Sequence, residues 1–188
     1  MDFIYLLVAT IFSDNFVLSK LLGVYPVINK SNKKISIVQE GILVTISLIV
    51  MSIFSYILYT WILEPLNISY LTTILFSLIL FLVAQLTVLI SKKMGKYNNV
   101  GISVEQIVAN SIILAAVLIG IEQEHILYSV IYAIGAGLGY TLISVLISDA
   151  MDRVDEDTIV PAFSGIPIRL IALGLMAYAF LGFNGIAP

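Results

Sequence analysis

Cysteine is absent from this chain, which excludes disulfides, thiolate-bound zinc and cysteine-held iron–sulfur clusters built from its own residues. Histidine occurs once, at His125. Glu122, Glu124 and His125 lie close together, but without further ligands at fixed spacing they read as a wet loop, and no metal site is expected. Charge is scarce: 11% of residues are Asp, Glu, Lys or Arg, and the nine basic ones are scattered, which leaves no patch for nucleic acid. No Ser/His/Asp set, histidine pair or phosphate loop emerges, so catalysis by this chain alone is not expected. The glycines of "GAGLG" (135–139) follow no strand, and Gly135 and Gly139 have the small-xxx-small spacing of close helix packing.

Apolar residues are what the chain has in abundance. They make up 60% of it, with a mean hydropathy of +1.08, and they recur in runs of membrane-spanning length that leave no room for a separate soluble domain. The reading is a single membrane domain over 1–188. Asp2 stands where a signal peptide would carry basic residues and no small-residue cleavage site follows, so the first run is read as a retained span. Spans are predicted at 3–28, 37–63, 68–91, 102–121, 126–148 and 163–187. The first, third and fifth loops between them hold Lys30, Lys33, Lys34, Lys92, Lys93, Lys96 and Arg153, whereas the second and fourth hold no lysine or arginine. That asymmetry predicts a multi-pass protein of a prokaryotic inner membrane with both termini facing outward.

Halving the chain exposes a repeat. Asn15 and Asn110 are 95 residues apart, and three further pairs, Gly41 with Gly137, Thr45 with Thr141 and Pro65 with Pro161, share an offset of 96. Three spans per half is an odd number, so the second half must enter the bilayer inverted. The expected fold is therefore an all-α membrane protein of six transmembrane helices, arranged as two inverted three-helix repeats (about 1–92 and 93–188) with helices one and four broken. Inverted repeats place transport routes at such breaks. The candidate pathway residues are Asp14, Asn15 and Lys20 around the first and Glu105 and Asn110 around the second. Asp14 and Lys20 would meet only if the helix bends between them. Gln85, deep in span three, is expected to make a buried helix-to-helix hydrogen bond. Arg169 is expected to snorkel toward the inner surface or to pair with an acid.

Four stretches, "DNFVLSKLLGVYP" (14–26), "TWILEPLNISYLTT" (60–73), "ANSIILA" (109–115) and "PAFSGIPIRLIALGLMAYAFLGFNG" (161–185), resemble the RnfA/NqrE subunits of the Rnf and sodium-translocating NADH:quinone reductase complexes. Asn15, Lys20, Gly23, Pro26, Gln85 and Asn110 match positions of that pattern. The resemblance implies two inverted repeats and a homologous RnfE/NqrD-like membrane partner. It also implies a complex coupling electron flow to Na+ or H+ translocation, with flavins and other iron–sulfur clusters on partner subunits. It further implies a [2Fe-2S] cluster at the partner interface, held in part by two cysteines of this subunit. Here those positions are Tyr25 and Ser111, which are not normal ligands for such a cluster, so no cofactor is predicted in this chain. Glu105 is a further departure, an acid where the family carries an apolar residue or proline. Three roles stay open: a subunit of a variant Rnf-like complex, a diverged non-redox secondary transporter, and a structural membrane subunit.

Overall fold

The computed structural model describes residues 3–28, 34–93, 103–123, 125–155 and 159–183, and all secondary structure among them is helical. Four helices are long and apolar enough to cross a bilayer. Two are α4 (Lys34–Leu58), extended by a π-helical turn over Tyr59–Leu63, and α5 (Thr72–Lys93), entered through a 3-10 turn at Ser69–Leu71. The others are α8 (Ile126–Met151) and α9 (Ile166–Phe180), the latter ending in a 3-10 turn over Leu181–Phe183. Ile, Leu, Val, Ala and Phe dominate all four, and proline stands only in a first turn, where its missing N–H is harmless. Pro65 follows the π-helical turn, and the widened turn ends a helix that proline cannot continue.

The two remaining apolar stretches are interrupted. The first comprises α1 (Phe3–Ile11), α2 (Phe16–Ser19) and α3 (Val24–Ile28). The second comprises α6 (Val104–Val108) and α7 (Ser111–Gly120). The loop residues Lys30, Lys33, Lys96, Glu124, Glu156 and Asp157, and both termini, lie outside the described residues.

α8 is the hub. It packs on α4, α1, α7 and α9, and its core partners include Leu48, Met51, Ile113 and Leu173, all nearly or fully buried. Close approach of α4 and α8 depends on a reciprocal notch. The space beside Gly41 on α4 is filled by Thr141 of α8, and the space beside Gly137 on α8 is filled by Thr45 of α4. Each threonine hydroxyl also donates to the carbonyl of the glycine one turn earlier on its own helix: Thr45 to Gly41 at 2.7 Å and Thr141 to Gly137 at 2.8 Å. A Cβ at either glycine would collide with the facing threonine, so small residues set the interhelical distance. Gly135 and Gly139 serve the same purpose against α1 and the segment after it, beside Thr10 and Asn15.

One sequence expectation changes within this chain. Gln85 is exposed, not buried between helices of this chain. The inward face of α5 carries Phe76, Leu80, Val83, Thr87 and Val88; position 85 is two residues from Val83 and from Thr87, which at about 100° per residue turns it outward. Arg169 is half-buried, and its guanidinium donates to the carbonyl of Ile28, at the C-terminal end of α3, where a positive charge also suits the helix dipole.

Candidate functional site

Ser13, Asp14 and Asn15 have short polar side chains that compete with helical backbone bonding, and α1 stops just before them. Asn15 bridges the interruption. Its amide nitrogen donates to the carbonyl of Ile11 at 2.8 Å, and its amide oxygen accepts from the N–H groups of Val17 at 3.0 Å and Leu18 at 3.4 Å. One side chain, 1% exposed, thus satisfies the end of α1 and the start of α2. The hydroxyl of Ser19 adds a bond to the carbonyl of Asn15 at 2.7 Å.

The second interruption uses the same residue type. Asn110, also 1% exposed, caps α7 by accepting from the N–H of Ile112 at 3.3 Å. Just upstream, Ser103 and Gln106 form a capping box that starts α6. The two interruptions touch. The N–H of Gly23 donates to the hydroxyl of Ser111 at 2.9 Å, and a Cβ on Gly23 would lie 2.8 Å from the Asn110 amide oxygen and 2.6 Å from Ile112. Gly23 has φ +68°, a left-handed conformation that glycine adopts without strain. The turn after the first break therefore docks on the residues of the second, and glycine is required there on two counts.

Opposite charges pair at the first break. A carboxylate oxygen of Asp14 holds the Lys20 ammonium at 3.0 Å and the hydroxyl of Tyr132, from α8, at 3.3 Å. The bend at Asn15 brings together two residues that a straight helix would separate. The Lys20 ammonium also lies 4.6 Å from the centre of the Phe16 ring, and that ring meets Tyr132 edge-on at 5.6 Å. The pair is half-exposed, with Asp14 and Lys20 side chains 46% and 36% accessible. Next to it, between the first break and α9, is a cavity of about 390 Å³ whose lining includes Ser13, Ser19 and Gly174.

Glu105 is placed differently. It is exposed on α6, which packs on α5 and α7, and it forms no ion pair among the described residues. Of the five candidate pathway residues, Asp14, Asn15 and Lys20 are thus brought together with Tyr132, Asn110 joins them through Gly23, and Glu105 stays apart. Tyr132 and Gly23 escape a sequence reading as site residues. Tyr132 is 118 positions from Asp14 and sits in an apolar run; only the resemblance draws attention to Gly23.

The family model for Rnf-Nqr subunits, described as membrane proteins, matches residues 3–187. The chain belongs to the Rnf-Nqr membrane-subunit family. It is 37% identical to a subunit of the Na(+)-translocating ferredoxin:NAD(+) oxidoreductase complex of Acetobacterium woodii, over 98% of each chain. It is 34% identical to a subunit of the ion-translocating oxidoreductase complex of Vibrio vulnificus, again over 98% of each. With the corresponding protein of Aliivibrio salmonicida it shares 35% identity, over 98% of this chain and 97% of the relative. This family member is a multi-pass, all-α membrane protein.

The residues at the implied cluster positions do not fit a [2Fe-2S] cluster. The Tyr25 side chain is 63% exposed, and its phenol is a poor iron ligand beside thiolate. The Ser111 hydroxyl accepts the Gly23 N–H and so helps join the two breaks. Among the described residues no group of three or more histidines or acids could hold a metal.

Proposed function

We propose that this chain is the ion-conducting membrane scaffold of an Rnf-type oxidoreductase complex, in which electron transfer on partner subunits drives Na+ or H+ across the inner membrane. Its partner is a homologous RnfE/NqrD-like subunit. The observation that carries the reading is the meeting of two helix breaks in the membrane region beside a carboxylate, a cation and a phenol. Broken helices expose backbone groups that suit ion binding, and such backbone is tolerated at membrane depth only where protein or water covers it. The reciprocal notch of Gly41, Thr141, Gly137 and Thr45 supports the inverted repeat: each contact maps onto the other under the 96-residue offset, as expected for two halves related by a two-fold axis. The basic residues of the odd-numbered loops support outward-facing termini.

The chemistry follows from Asp14. Its carboxylate is occupied by the Lys20 ammonium, so an entering cation must compete with an internal one. Phe16 offers the displaced ammonium a π-face, and the Tyr132 hydroxyl stays within reach of the carboxylate. With a monovalent cation on Asp14 the three groups carry a net +1, and the half-exposed Lys20 ammonium can turn that excess toward solvent, which limits its cost. With cysteine absent at positions 25 and 111, no electron step is assigned to this chain.

The test is Asp14→Asn in the intact complex, reconstituted in liposomes. Ion uptake should fall by about tenfold or more while electron transfer persists. Unchanged uptake per electron would remove Asp14 from the pathway.

A further inference from the structure

Four polar side chains lie within α5 between Ser77 and Ser91. Three are satisfied inside this chain. The hydroxyl of Ser77 donates to the carbonyl of Thr73 at 2.7 Å, Thr87 to Val83 at 2.9 Å and Ser91 to Val88 at 2.9 Å, while Thr87 also pairs with Ser47 of α4 at 3.0 Å. Gln85 is the exception: its amide has no hydrogen-bond partner among the described residues and points away from the chain. By helical rise it lies about 10 Å from Lys92 and about 20 Å from Thr72, well inside a hydrocarbon layer of about 30 Å. Around it the outward face is wholly apolar: Leu78, Phe81, Leu82, Leu86 and Leu89 are each 47% or more exposed.

An amide has two donors and an acceptor, and acyl chains satisfy none of them. Unlike a lysine near a helix end, Gln85 is too short and too deep to reach the interface. One polar residue centred in an apolar stripe is the pattern by which transmembrane helices lock together. The exposed face of α9 lacks this signature: around Leu175 and Tyr178 its outward surface is apolar, small or aromatic, and lipid can cover it. We infer that the Leu78–Leu89 face of α5 is a subunit interface, covered by a transmembrane helix of a different membrane subunit that presents a hydrogen-bonding side chain to Gln85. The inference rests on the reading of this chain as part of a membrane complex.

Photo-crosslinking in the native membrane tests it. With Gln85 replaced by p-benzoyl-phenylalanine in the full complex, irradiation should yield an adduct with another membrane subunit, identified by mass. An adduct with lipid alone, or with a second copy of this chain, would overturn the inference. Should the bulky probe block assembly, Gln85→Leu and Gln85→Asn decide the matter. The leucine variant should retain about threefold less partner through detergent purification, and the asparagine variant should restore it. Equal retention in both would contradict the inference. Absence of every other membrane subunit from the wild-type preparation would instead remove the functional reading, and this interface with it.

Discussion

Among the described residues the Asn15 side chain makes three hydrogen bonds at the first break, with Asp14, Lys20 and Tyr132 gathered beside it; at the second the Asn110 side chain makes one, and the acid Glu105 upstream of it is exposed. Both asparagines are buried and both cap the helix that follows. The break itself is thus a shared structural device. The placement of charge differs: Asp14 and Lys20 pair beside the first break, whereas Glu105 is exposed and forms no ion pair among the described residues. The difference also explains why the first stretch falls into three short helices. Its turn over Leu21–Gly23 must reach across to Ser111, and both Leu21 (φ +53°) and Gly23 take left-handed backbone to do so.

The largest stability difference is expected between the asparagines. Asn15→Leu removes three hydrogen bonds and leaves buried backbone groups unpaired, a loss of about 3 kcal/mol at about 1 kcal/mol per bond. Asn110→Leu should cost about 1 kcal/mol on the same scale. Thermal inactivation of the purified complex would rank them; equal losses would break the proposed asymmetry. Gly23→Ala comes next. It adds strain at a positive φ and a methyl group against Asn110 and Ile112, together about 1–3 kcal/mol. A Gly23→Ala complex as stable as wild type would mean that the two breaks do not depend on this joint. Smallest is Glu105→Gln, expected to leave assembly and transport within about twofold of wild type, as for most exposed substitutions.

Much of this is legible in the sequence, for physical reasons. A polar cluster inside an apolar run has few structural outlets, so Asn15 and Asn110 announce interruptions, and the extents of the four long helices follow from the lengths of the runs. The constant offset linking Gly41, Thr45, Gly137 and Thr141 marks residues that prove to face one another. Facing is harder to read. α5 is apolar almost all round, so periodicity gives no inward side, and that Gln85 faces away from this chain's other helices is not legible for that reason. The sequence marks Glu105 as a departure from the family pattern and sets it five residues before Asn110, where Asp14 adjoins Asn15, but its exposure is visible only in the packing of α6. Tyr132 has no local signal, because its partner is brought to it by tertiary folding across 118 residues.

The most direct test sets the two acids side by side. Asp14→Asn and Glu105→Gln complexes, reconstituted in sealed vesicles, would be compared for ions transported per electron transferred. The expected result is a ratio reduced by about tenfold or more for Asp14→Asn and near wild type for Glu105→Gln. Equal ratios in the two variants, or a loss confined to Glu105→Gln, would contradict the assignment of the pathway to the first break.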